Sequence, residues 1–178
     1  MTSLYLAVFI GAILLSFILT RNVRNMAEAR GWTLRPASEH HIHTNSITRL
    51  GGVAIFLTFL LITGMLLVIS AVTKQELSLP LPTVVYLLIS GTLVFLVGLY
   101  DDCFNASPYV KFSIQGVAAL ILYLGGFRVM EIPLLFGSHH LGWLSLPLTI
   151  FWVILITNAF NLIDGIDGLA AGSALFST

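Results

Sequence analysis

The side chains able to do chemistry gather in three short stretches. Asp101 and Asp102 stand side by side in Gly98-Leu99-Tyr100-Asp101-Asp102, and Asp164 and Asp167 close a run that begins with Asn158 and Asn161. Asn158 and Asn161, Asn161 and Asp164, and Asp164 and Asp167 are each three residues apart. A helix carried through them would set each pair on one face. Gly165 and Gly168 permit turns or a close approach of backbone to a ligand. Carboxylate and amide oxygens are hard ligands, suited to magnesium held together with substrate phosphates. The third stretch carries His40, His41 and His43 between Arg35 and Arg49. No helix is expected after Pro36, and no cysteine is nearby, so these side chains suit an anion or phosphate better than zinc. Asp101 and Asp102 by themselves fit a solvated helix end as well as a catalytic pair. The Asn/Asp run, four polar groups at helical spacing against apolar chain, points to function.

The elements that must position these groups are membrane helices. Of the 178 residues 57% are apolar and 9% charged, whereas a soluble domain carries roughly a quarter charged residues. Eight Lys and Arg balance eight Asp and Glu, so no polyanion-binding surface follows and nucleic acid is not an expected partner. The one cysteine, Cys103, excludes an internal disulfide framework and lacks a clear base partner. A span needs about 20 mostly apolar residues. Uncharged runs cover 2–20, 50–73, 77–100 and 112–127, and a fifth fits from about Leu141 to Ile163. Residues 168–178 read as the start of a sixth. The fold class expected is therefore all-α, a polytopic membrane helix bundle and a single membrane domain over 1–178. A signal peptide is not expected, because Met1 to Leu4 carry no cation.

The cations set the orientation. Arg21, Arg24, Arg30, Arg35 and Arg49 fall in the loop 21–49, and Lys111 falls on the same side if spans alternate. Lys74 and Arg128 fall opposite. The excess places the first loop in the cytoplasm and the N-terminus outside. Both aspartate groups then face the cytoplasm with the Arg-rich loop. Residues 21–30 should continue the first helix, with Arg24 and Glu28 paired at i,i+4 and Gly31 ending it. His139, His140, Arg128 and Glu131 read as an exterior loop without chemistry.

Residues 158–172, Asn-Ala-Phe-Asn-Leu-Ile-Asp-Gly-Ile-Asp-Gly-Leu-Ala-Ala-Gly, resemble a signature of the polyprenyl-phosphate N-acetylhexosamine-1-phosphate transferases. These membrane enzymes start bacterial envelope glycans and are related to the phospho-MurNAc-pentapeptide translocase of peptidoglycan synthesis. Asp101-Asp102 with Lys111 and Gln115 looks like the double-aspartate loop of that family, and His43 with Arg49-Leu50-Gly51-Gly52 looks like its first cytoplasmic loop. The chain departs from the family pattern at Leu34, where an acid is usual, at Glu39-His40-His41, where a basic pair is usual, at Thr48 for a proline and at Tyr109 for a cation. Family members have about ten spans, and the chain resembles their N-terminal half, without the later Gly-Asp-x-Gly-type aspartate that binds magnesium.

The resemblance implies transfer of a sugar 1-phosphate from a UDP-sugar to polyprenyl phosphate with release of UMP, in cell wall or lipopolysaccharide biogenesis at the inner or plasma membrane. It implies Mg2+ as cofactor with Asn161 as a ligand, and Asp101 or Asp102 orienting or deprotonating the lipid phosphate. Asp164 and Asp167 would shape the nucleotide-sugar site, with His43, Lys111 and Asn158 binding substrate. UDP-GlcNAc and undecaprenyl phosphate are substrates of the kind the resemblance implies, while the sugar (GlcNAc, GalNAc or another), the polyprenol and a homodimer are left open. Two alternatives stand beside this reading, a transporter or ion-pathway protein and an inactive truncated membrane fragment. A transporter needs carboxylates near the bilayer middle, whereas these acids lie at span ends.

Overall fold

The computed structural model describes residues 2–31, 51–74, 79–134 and 137–163. The described chain is helical except for one small ribbon, in the order α1 (Thr2–Ala29), α2 (Gly51–Thr73), α3 (Leu81–Phe104), α4 (Pro108–Leu124), β1 (Glu131–Leu134), β2 (Gly137–His140), a 3-10 turn (Gly142–Leu144) and α5 (Ser145–Ile163). Four helical stretches among the described residues are long and apolar enough to cross a membrane: Leu6–Ala29, Gly51–Thr73, Leu81–Phe104 and Gly142–Leu162. With α4 they form the all-α, polytopic membrane architecture expected from the sequence. Lipid offers backbone groups no partners, so each span must close its hydrogen bonds internally.

Local signals explain most boundaries. α1 continues past its apolar run as expected, with Arg24 Nε 3.5 Å from Glu28 Oε1. It stops where Gly31 turns to a φ of +69°, a conformation that a Cβ disfavours. Pro80 and Pro82 flank the start of α3, where a missing N–H costs little. Asn105 takes a φ of 52° and donates its backbone N–H to the Asp101 carbonyl at 2.9 Å, closing α3. Ser107 then caps α4, accepting from the Val110 N–H at 3.5 Å, with Pro108 in the first turn.

Two details differ from the sequence reading. α4 begins before the uncharged run, so Lys111 lies within the helix, and its 17 residues span only about 25 Å. That is at the short limit for a bilayer. The segment expected as an exterior loop is instead an antiparallel ribbon, with Glu131 opposite His140 and Leu134 opposite Gly137. His140 Nδ1 lies 3.1 Å from Glu131 Oε1 across it. Cross-strand pairing of this kind leaves no helical or period-two apolar signal in four-residue strands.

Contacts divide the chain into two compact units, residues 1–78 with 98–105, and residues 79–97 with 106–178. In the first, α1 packs along α2. The buried positions are Val23 and Ala27 on α1 and Ala54 and Thr58 on α2, each pair at i,i+4. Small residues at such places let helix backbones approach closely. In the second unit α4 packs along α5, with Ala118 and Ala119 fully buried. Gly125 closes α4 against the Tyr86 side chain, which a Cβ there would strike. The turn after α4 is anchored by Val129, whose N–H donates to Thr149 Oγ1 at 3.0 Å.

Candidate functional site

The helix pair α4–α5 is antiparallel, as two contacts establish. Val129, beyond the C-terminal end of α4, meets Thr149 near the start of α5. Gln115, two turns into α4, meets Asn158 near the end of α5, whose Nδ2 donates to Gln115 Oε1 at 2.8 Å. The N-terminal end of α4 and the C-terminal end of α5 therefore share one end of the pair. Lys111 lies four residues beyond Gln115 towards that end, and Asn161 three residues beyond Asn158. Each stands above its neighbour on one helix face. Lys111 is half-buried and Asn161 exposed.

The Asn158 amide also donates to the Ile154 carbonyl at 2.8 Å. Its partner Gln115 is 3% exposed, a carboxamide held inside an otherwise apolar helix. Spacing along the chain singles out Asn158, whereas Gln115 enters only through the family pattern. A carboxamide in an apolar run, one turn from a cation, was the available signal for it, since such a group demands a partner in lipid.

In the first unit, Asp101 and Asp102 occupy the last turn of α3, Asp101 half-buried and Asp102 exposed. Tyr100 and Phe104 flank them with ring centroids 5.1 Å apart. The last turn of a helix carries partial negative charge and the first turn partial positive charge. Two acids at the end of α3 and Lys111 at the start of α4 therefore both oppose the helix dipole. Each such placement costs roughly 0.3–1 kcal/mol when exposed.

His43, Asp164 and Asp167 lie outside the described residues, as do residues 168–178, the expected start of a sixth span. Helix does persist through Ile163, so Asn158 and Asn161 share their expected face. Among the described residues no three His, Cys, Asp or Glu side chains cluster to hold a metal. On the α4–α5 pair the described donor for magnesium is the exposed amide oxygen of Asn161, which is not by itself a coordination sphere. All described acids lie at or near element ends, Glu28, Asp101 and Asp102 on helices and Glu131 on the ribbon.

Residues 84–178 match the model of glycosyl transferase family 4. The chain belongs to that family. The match takes in the double aspartate, Lys111 and the Asn/Asp run, the same residues that stood out by chemistry. Among curated proteins, this family 4 chain is 36% identical over 92% of its length to the probable undecaprenyl-phosphate N-acetylglucosaminyl 1-phosphate transferase of Bacillus subtilis (strain 168), covering 43% of that protein. It is 32% identical over 93% of its length to the decaprenyl-phosphate N-acetylglucosaminephosphotransferase of Mycobacterium tuberculosis (strain CDC 1551 / Oshkosh), covering 41% of it. A phospho-N-acetylmuramoyl-pentapeptide-transferase of Streptococcus equi subsp. zooepidemicus (strain MGCS10565) is 37% identical over 51% of the chain and 32% of that relative. The chain spans about two fifths of the length of the first two relatives. No solved structure matches it.

Proposed function

We propose that the chain forms the N-terminal part of a phosphoglycosyl transferase that moves N-acetylhexosamine 1-phosphate from a UDP-sugar to polyprenyl phosphate. The observation that carries this reading is the gathering of Lys111, Asn158 and Asn161 at one end of α4–α5, within the stretch that matches family 4. The relatives' names supply the substrate class, a polyprenyl phosphate acceptor and an N-acetylglucosamine phosphate donor. Both substrates meet at a membrane boundary, since the acceptor is held in lipid and the donor dissolves in water. The cation excess of the first loop supports a cytoplasmic site at the cell membrane.

In the reaction an oxygen of the lipid phosphate attacks the sugar-linked phosphorus of the diphosphate. The bond from that phosphorus to the bridging oxygen breaks, and UMP leaves with the bridging oxygen. Catalysis of such a transfer is chiefly positioning and charge stabilisation. Lys111, at the positive end of the α4 dipole, would hold a phosphate, with His43 as a second contact. Asp101 or Asp102 would orient the lipid phosphate and take its proton, a small task because its second pKa lies near neutrality. Asn161 would offer its amide oxygen to magnesium, while Asp164 and Asp167 would shape the nucleotide-sugar site and Asn158 would support it. Magnesium, when bound, would supply charge neutralisation on the diphosphate and on departing UMP.

The test uses membranes containing the full-length protein, polyprenyl phosphate and UDP-N-acetylhexosamines, with UMP as the readout. Asp102→Asn should lower turnover ~100-fold, the usual contribution of a general base. Undiminished turnover in that variant would remove Asp102 from the chemistry, and absence of UMP from the unaltered protein with every donor tried would overturn the reading.

A further inference from the structure

We infer that Gln115 is a positioning residue that sets the register of α4 against α5 and so places Lys111 relative to Asn161. This rests on the transferase reading for its consequence, though not for its geometry. The Gln115 carboxamide is 3% exposed and accepts from Asn158 Nδ2 at 2.8 Å. The bond joins α4 to α5 directly, side chain to side chain. Apolar packing tolerates small slides of one helix along another, because dispersion is not directional. A hydrogen bond between two short carboxamides does not, since it weakens steeply with distance and angle.

Its position relative to the site gives that constraint a use. Lys111 is about 6 Å along α4 from Gln115, and Asn161 about 4.5 Å along α5 from Asn158, at 1.5 Å per residue. Both displacements run towards the same end of the antiparallel pair. The bridge is thus the rung directly below the two site residues, on the facing helix faces. The Asn158 side chain is tied a second time, to the Ile154 carbonyl at 2.8 Å, so it is a fixed donor rather than a swinging one. At the other end, the hydrogen bond from Val129 to Thr149 holds the turn that follows α4. With that end anchored, the bridge decides how the exposed end is aligned. A phosphate contact and a metal-facing amide must keep their separation while phosphorus changes partners, and misplacement of about 1 Å can cost ~100-fold in rate.

The experiment shortens and then restores the bridge in the full-length protein. Gln115→Asn removes one methylene, keeps the polarity and breaks the contact. It should lower kcat ~10-fold or more while KM for the UDP-sugar stays within about threefold. Adding Asn158→Gln exchanges the two carboxamides, restores the combined length and should return kcat to within about threefold of the unaltered protein. A purely structural role would lower the amount of folded protein without this reciprocal rescue. A double variant no better than the worse single one, or an effect of Asn158→Gln on KM alone, overturns the proposal and gives Asn158 to the substrate.

A second readout is independent of turnover. In a background freed of native thiols, Cys103→Ser included, the double variant Lys111→Cys with Asn161→Cys should be cross-linked by a short bis-maleimide. Gln115→Asn should lower that yield several-fold, and the exchanged pair should restore it. Yield unaffected by Gln115→Asn overturns the register role even if activity falls. Dependence on Gln115 in a protein that releases no UMP would uphold the register role and discard the transferase reading.

Discussion

The two packed helix pairs are held by different kinds of contact. Where α1 meets α2, the buried positions are Val23, Ala27, Ala54 and Thr58, and the one hydroxyl among them turns back to its own helix, Thr58 Oγ1 donating to the Ala54 carbonyl at 2.8 Å. Where α4 meets α5, a buried carboxamide reaches across to the other helix. The first arrangement provides close approach through small residues, the second fixes a register. Polar bonds between membrane helices contribute only about 0.6–2 kcal/mol, so stability alone is a weak reason to bury Gln115. The pair that carries the register also carries Lys111 and Asn161, whereas the α1–α2 contact carries none of the described site residues.

That contrast predicts activity effects at one pair and stability effects at the other. The largest effect should come from Asn161→Ala. Asn161 is exposed at the end of α5, so thermal melting in detergent should hardly change while turnover falls ~100-fold, as when one oriented polar group is removed from a charged transition state. Normal turnover would show that the end of α5 is only a helix end. Next, Ala27→Leu should act on the α1–α2 side. Ala27 is fully buried, and overpacking there should cost about 1–3 kcal/mol, read as a lower melting temperature with kcat per folded molecule unchanged. A selective loss of kcat would instead join α1 to the chemistry. The smallest effect belongs to Arg24→Ala. The Arg24–Glu28 pair is exposed, and such i,i+4 pairs contribute about 0.2–0.5 kcal/mol, a shift that added salt should erase.

Much of this was legible in the residues. The charge-free runs located α2, α3 and α5 to within a few residues, because a bilayer penalises every charge in its core. Residues 21–31 announced the helical extension of α1, its Arg24–Glu28 pair and its glycine stop, all governed by neighbours in sequence. The short β1–β2 ribbon was not legible, since its pairing of Glu131 with His140 depends on strands too brief for a pattern. Nor was the true start of α4, where the Ser107 cap and Pro108 draw Lys111 into the helix and outweigh its charge.

The sequence by itself determined that this is a membrane helix bundle and that it belongs to family 4. Both follow from composition and from spacing along one chain. Only the tertiary structure decided that Gln115 is the partner of Asn158, across 43 residues of sequence. Sequence spacing reports which side chains share a helix face. Which face of another helix they meet depends on antiparallel packing and register, and a buried carboxamide finds its partner only after both are set.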